Sequence, residues 1–273
     1  MDSFIATLLT YLNKLGRNLP YGLRRRITDF PGVLTMFSAL TRSRMEFAPT
    51  PEGYTLAFNP LLHSNMLTSG SLAAYEPQLQ AAIRRYTGTG MIAYDIGANV
   101  GLFSLLFYSI VRQGDGMVYA FEPEPNNIAC LERTLAANEC PGIKLCRQAV
   151  SNTTGAAPFD RRGGAFSGRL VGAIHNYTPT RNIATVETTS VDACVFERGF
   201  HPPGIVKIDV EGNEGLVLEG MQGVMEKFHP IVICEIHTHL GDNGQRILDL
   251  LSQHDYDVSK LDSGHTLAVA KTS

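Results

Sequence analysis

The chain has 273 residues, 44% of them hydrophobic and 18% charged, a globular composition that excludes wholesale disorder and a fibrous fold. A net charge of −3, from 23 basic and 26 acidic side chains, does not supply the basic face that sequence-independent nucleic-acid binding needs. Five scattered cysteines without a C-x-x-C pair argue against a disulfide framework or zinc knuckle and fit a reducing compartment.

The charge is uneven. Over the first 50 residues Lys14, Arg17, Arg24, Arg25, Arg26, Arg42 and Arg44 face only Asp2, Asp29 and Glu46. Phe4, Ile5, Leu8, Leu9, Leu12 and Leu15 recur at helical spacing, with Ser3 placed to cap them. This amphipathic helix has two readings: it packs on the body or on a second subunit, giving a homo-oligomer, or it lies on an anionic membrane surface. Asp2 precedes the apolar run and the arginines follow it, the wrong order for a signal peptide. The most apolar stretch, residues 101–111, is well short of the ~20 that span a bilayer. A soluble, cytoplasmic protein without a transmembrane segment is expected.

Residues 49–70 are rich in Pro, Gly, Ser and Thr, with a short strand expected at 54–58. Glu76-Pro77 should open a helix that ends near Gly88, since proline suits a first helical turn. Beyond Gly90 strands and helices alternate: strands at 91–95, 117–122, 143–150, 185–189, 205–210 and 231–236, with helices at 102–111, 126–138, 214–227 and 244–254 between them. Two closing strands, 256–261 and 265–270, follow. Such alternation means crossover units and a mostly parallel sheet covered on both faces. The expected organisation is an N-terminal helical cap over residues 1–75 and an α/β, Rossmann-like domain over 76–273.

The first of these strands runs into Asp95-Ile96-Gly97-Ala98-Asn99-Val100-Gly101, where glycines allow a sharp turn and close approach of a ligand to the main chain. The next strand ends in Phe121-Glu122-Pro123, with Glu122 lying 21 positions after Gly101, near the spacing of an acid that accepts from ribose hydroxyls. A nucleoside-bearing cofactor across the two strand ends is the expectation. A dinucleotide turn would need glycines where this chain has Asn99 and Leu102, and Asp95 would repel a phosphate. An acid there suits the ammonium and sulfonium of S-adenosylmethionine (SAM) better than NAD.

Two later strands end in polar residues. Lys207, Asp209 and Glu211 alternate with apolar neighbours, and Glu235, His237 and His239 share a face by the same period after the run Ile231-Val232-Ile233-Cys234. Ligands of open α/β sheets lie beyond the carboxyl ends of the strands, which makes these residues functional candidates. If the two strands are neighbours, Asp209, Glu235 and His237 meet. That trio suits a divalent cation, Mg²⁺ or Mn²⁺, and equally a metal-free acid–base site.

Together the glycine turn, Phe121-Glu122-Pro123, Thr188-Thr189-Ser190-Val191-Asp192 and Val206-Lys207-Ile208-Asp209-Val210-Glu211-Gly212-Asn213-Glu214 resemble the FkbM-type methyltransferases over residues 75–240. The resemblance implies a class I methyltransferase fold, a seven-stranded sheet with its last strand antiparallel. It further implies a SAM donor and O-methylation of a small-molecule hydroxyl on a sugar, polyketide or related compound. Carried over, Asp95, Gly97, Asn99 and Gly101 belong to the cofactor loop, Glu122 and Pro123 to the ribose, Gln148 and Ala149 to the adenine, and Glu76 to the amino group. Asp209 would face the reacting methyl group, with Asp209 and His237 taking the proton. Glu211 and Glu235 would orient them or hold a metal, and Lys207 would stabilise the alkoxide. Residues 161–168, basic and glycine-rich, are either a lid that meets an anionic group or a solvated loop. The competing readings are an NAD(P)-dependent oxidoreductase on a similar sheet and a catalytically silent cofactor-binding or interaction module.

Overall fold

The computed structural model describes residues 45–271 apart from 61, 64–65, 67–68, 162–167, 172–178, 180–181 and 238–243. The expected N-terminal helix, His239, Arg162 and most of the expected lid lie outside the described residues. In the described part of residues 1–75, β1 (Glu46–Pro49) and β2 (Thr55–Phe58), the latter within the strand expected at 54–58, form an antiparallel hairpin. After α1 (Pro77–Tyr86) come β3 (Ile92–Ile96), α2 (Leu102–Val111), β4 (Met117–Phe121), α3 (Pro125–Asn138) and β5 (Ile143–Cys146). The chain continues through β6 (Ala149–Val150), β7 (Gly155–Asp160), β8 (Arg169–Leu170), β9 (Ile183–Thr189) and β10 (Ile205–Ile208). It ends with α4 (Glu214–Glu219), α5 (Gln222–Phe228), β11 (Ile231–Glu235), α6 (Gly244–Gln253), β12 (Tyr256–Lys260) and β13 (His265–Ala270).

The main sheet has seven strands in the order β12-β13-β11-β10-β3-β4-β5. Only β13 runs antiparallel to its neighbours β11 and β12; the pairs from β11 to β5 are parallel. The pleat sends alternate side chains to two buried layers. Ala93, Val118, Ala120, Ile205 and Ile233 join Leu79 and Ile83 of α1 and Leu105 and Phe107 of α2 on one face. Tyr94, Phe121, Val206, Ile208 and Val232 join Val217 of α4, Met225 of α5 and Leu251 of α6 on the other. Each fully buried Leu, Val, Ile or Phe contributes about 1.5–3 kcal/mol, so helices on both faces are what make these continuously apolar strands stable.

Three expectations need correction. Residues 143–150 are two strands, because the chain turns at Arg147-Gln148 and Ala149–Val150 leaves the main sheet. There β6 pairs with β9 in a separate four-stranded sheet, β6-β9-β7-β8, so 183–189 is not a main-sheet strand. The helix expected over 214–227 is two helices broken at Gly220, where a Cβ would lie 2.1 Å from the Ser151 carbonyl oxygen. The second helix has its own start. Asp192 accepts from the Gly223 and Val224 amides at 3.0 and 2.8 Å, satisfying donors that a helix N-terminus leaves open.

Candidate active site

A cavity of about 230 Å³ opens beyond the carboxyl ends of β3, β4 and β10 and is lined by the turn after β3, the segment after β4, β8 and the ends of β10 and β11. The turn needs its first glycine. Gly97 sits at φ +80, and a Cβ there would come within 1.8 Å of the Asp209 carbonyl oxygen. Its amide and that of Ala98 both donate to the Phe121 carbonyl, fastening the turn to the end of β4. Gly101, at φ +94, serves packing: a Cβ would meet Leu131 of α3 at 2.4 Å, and the residue does not line the cavity.

Glu122 grips this turn from below. Its Oε2 accepts from the Asn99 amide and its Oε1 from the Glu124 amide, each at 2.8 Å. Burial raises its pKa to about 7, against the lowering effect of those backbone donors. Asn99 (φ +52) leaves its buried Oδ1 without a partner among the described residues. Pro123, Gln148 and Ala149 complete this part of the wall. Glu124 is held bidentately by Arg161 at 2.7 and 2.5 Å, so the one described arginine of the expected lid is engaged by the protein itself.

Asp95 is placed differently from the expectation. Its carboxylate is 0% exposed and accepts from Ser104 Oγ at 2.6 Å and Lys207 Nζ at 3.1 Å, and it does not line the cavity. The register explains the pair, since Asp95 and Lys207 are direct partners on adjacent parallel strands and share a face. Lys207 also donates to the Gly97 carbonyl at 3.0 Å and lies 3.7 Å from Asp209 Oδ2. Burial pulls its pKa down, but Asp95, Asp209 and Glu76 outweigh that and raise it, so the ammonium stays charged. Its two hydrogen bonds tie β10 to β3 and to the glycine turn.

The period-2 alternation expected past Ile208 does not hold, because β10 ends there and Glu211 turns into left-handed backbone at φ +57. Asp209, Glu211, Glu235 and His237 nevertheless all line the cavity. Burial, then the Asp209 charge, raises Glu211 to about 7. His237 donates from Nδ1 to Glu214 Oε1 at 2.8 Å, since a carboxylate can only accept. Its Nε2 lies 3.5 Å from Glu235 Oε1 and 3.9 Å from Glu211 Oε2. Burial opposes protonation of this ring, but the Glu214 hydrogen bond and the charges of Glu214, Asp209 and Glu211 prevail and raise its pKa. Glu235 is raised as well, by burial and then by Asp209.

Among the described residues, the carboxylates and imidazole that come close enough to share one ion are Asp209, Glu211 and His237, with one donor atom each inside 4.8 Å, and not the expected Asp209, Glu235 and His237. Acidic convergence of this kind is common without an ion. Three contributors went unread in the sequence: Glu214, which holds His237; Arg169, a 4% exposed cation on the cavity wall; and His265, opposite Glu235 in the register of β11 and β13. Glu214 was the most accessible of them, because it closes the same motif as Asp209 and Glu211.

Glu76, the left-handed N-cap of α1 at φ +47, presents a buried Oε2 without a hydrogen-bond partner among the described residues. Its pKa is raised by burial and then by Asp209. The cavity thus combines a glycine turn, a buried acid below it, an orphaned amide oxygen and an orphaned carboxylate oxygen.

The Methyltransferase FkbM domain model matches residues 95–258. The chain is 29% identical over 163 residues to the hexuronic acid methyltransferase AglP of Haloferax volcanii, covering 59% of this chain and 62% of that protein. It is 27% identical over 195 residues to the 31-O-demethyl-FK506 methyltransferase FkbM of Streptomyces tacrolimicus, covering 62% and 74%. Among solved structures, an FkbM methyltransferase from Methylobacillus flagellatus superposes with a TM-score of 0.46 at 15% identity, covering 66% of this chain and 43% of that one. The chain therefore spans less than two thirds of the length of AglP and of that crystallised protein. With a family model matched over more than half its length, the chain belongs to the FkbM methyltransferase domain family.

Proposed function

We propose that the protein transfers a methyl group from SAM to a hydroxyl of a small, sugar-like molecule. The observation that carries this reading is the pairing of the Gly97 turn with Glu122 in the same cavity as Asp209, Glu235 and His237. The residues fit the cofactor: Glu122 for ribose hydroxyls, Gln148 and Ala149 for the base, Asn99 Oδ1 and Glu76 Oε2 for hydrogen-bond donors at the methionine end. The bound cofactor supplies a methyl group already activated by the sulfonium. Acidic walls suit its positive charge.

The protein's own part is alignment, exclusion of water and removal of the hydroxyl proton. Alignment alone is worth up to about 7–11 kcal/mol. Asp209, a quarter exposed at the end of β10, takes the hydroxyl hydrogen bond. His237, its proton held by Glu214, stabilises the developing alkoxide as an imidazolium, a role for which Lys207 is too fully engaged. The neighbouring carboxylates, raised in pKa, are matched to accept a proton near neutrality. The hexuronic acid named for AglP favours an acceptor sugar bearing a carboxylate.

The test is incubation with methyl-labelled SAM and hexuronates, neutral hexoses and macrolide alcohols. Label in a sugar methyl ether supports the reading. Label in none of these, from protein that binds S-adenosylhomocysteine, overturns it.

A further inference from the structure

Two histidines flank Glu235 in the same manner. His237 is fixed at Nδ1 by Glu214 and points Nε2 at Glu235 Oε1. On the other side His265 is fixed at Nδ1 by Asp262, whose oxygens lie at 2.9 and 3.0 Å, and points Nε2 at Glu235 Oε2, 3.7 Å away, and at Glu76 Oε2, 3.8 Å away. The strand register imposes this placement, since Glu235 and His265 are direct partners across β11 and β13. Asp262 is rigid in turn, accepting from the Gly264 and His265 amides at 2.8 Å.

The His265 side chain is 8% exposed, and its Nε2 and the facing Glu76 Oε2 are both buried without a hydrogen-bond partner among the described residues. Because the Asp262 carboxylate can only accept, the Nδ1 proton is committed to it, and in the neutral ring the Nε2 lone pair faces two carboxylates. An arrangement built only for packing has no need of an unpaired basic nitrogen there, at a cost of about 1–3 kcal/mol for the unsatisfied atom. Among the described residues, the remaining charged or titratable groups around Glu235 and Glu76 are Asp209, Lys207, His237 and the Tyr75 hydroxyl. His265 is the imidazole whose Nε2 faces both Glu235 and Glu76, bordering the cavity without lining it.

We propose that His265 is the proton store of this site, receiving through Glu235 the proton that an acceptor hydroxyl gives up. This rests on the hydroxyl-methylation reading above. In that reaction the hydroxyl O–H and donor C–S bonds break and an O–C bond forms, leaving one proton per turnover. The proton passes to Glu235 and from its carboxyl to His265 Nε2. The imidazolium so formed is neutralised by Asp262 and flanked by Glu76, and it returns its Nε2 proton to water when the product leaves.

The experiment compares wild type with His265→Gln, with Asp262→Asn as the second variant should the first not fold. Expected are unchanged calorimetric affinity for S-adenosylhomocysteine and turnover lower by at least about tenfold, less than the ~10²–10⁴-fold of a group in direct contact. Added imidazole should restore part of the loss in His265→Gln. Wild-type turnover in a folded variant overturns the proposal. A readout without turnover is the ring ¹⁵N signals of His265 in wild type and Glu235→Gln. A shift between the two supports the link, and its absence overturns the store whatever the activity. If the shift is present but wild type methylates no hydroxyl, the function proposed above fails while the Glu235–His265 link stands.

Discussion

Lys207→Met separates a structural lysine from a catalytic one. Lys207 is 2% exposed and Asp95 0%, and they face each other at 3.1 Å in a register that leaves neither an alternative charged partner within hydrogen-bond distance. Removing the ammonium leaves a carboxylate buried with Ser104 as its sole hydrogen-bond donor among the described contacts. Breaking a buried pair by removing one partner costs about 3–5 kcal/mol, because the remaining charge is uncompensated. For a domain of this size each kcal/mol lowers Tm by about 2–4 °C, so a fall of about 6–20 °C is expected. Replacing both partners by apolar residues, as in Asp95→Leu with Lys207→Met, removes the stranded charge and should recover most of the loss. Urea and thermal unfolding of wild type, both single variants and the double variant give the complete cycle. A Lys207→Met protein that melts within about 2 °C of wild type yet has lost turnover would refute the reasoning and return the lysine to the substrate.

Asp209→Asn should abolish methyl transfer while leaving S-adenosylhomocysteine affinity, read by calorimetry, near wild type; retained turnover would make Asp209 structural. Gly97→Ala forces a Cβ to 1.8 Å from the Asp209 carbonyl oxygen, so stability and cofactor affinity should fall together, and an alanine variant that binds normally would contradict the cradle. Stability should decline from pH 6 to pH 9, followed as Tm. Glu122 and Glu211, raised from 4.5 to about 7, prefer the proton in the folded state, so their contribution is full at low pH and lost as pH climbs through 7. His237, raised above its ordinary 6.5, contributes below that value and loses its contribution at higher pH, in the same direction. A Tm that rises over this interval would contradict the burial of those carboxylates.

The sequence was most readable where local pattern and tertiary environment agree. α2 over Leu102–Val111 and β13 over His265–Ala270 were bounded as they stand, because an apolar run after a glycine turn and an alternating closing strand each leave one outcome. The convergence of Asp209, Glu211, Glu235 and His237 followed from the rule that strand ends face the ligand. The small sheet was not readable. β7, Gly155–Asp160, carries Gly and Pro and looks like a loop, and its pairing with β9 spans about 30 residues of chain. For the same reason His265 could not be placed opposite Glu235, because antiparallel register between β11 and β13 is fixed only by folding. Asp95 was misplaced because its spacing marks the end of a strand but does not reveal that the residue across the sheet is a lysine.

The most direct test is calorimetric titration of S-adenosylhomocysteine into wild type and Glu122→Gln. Binding to wild type should be stoichiometric, and weakened about ten- to a hundredfold in the variant, since a hydrogen bond to a charged acceptor is worth about 1.5–3 kcal/mol. Equal affinity in both proteins, or binding of NAD in place of S-adenosylhomocysteine, would contradict that expectation.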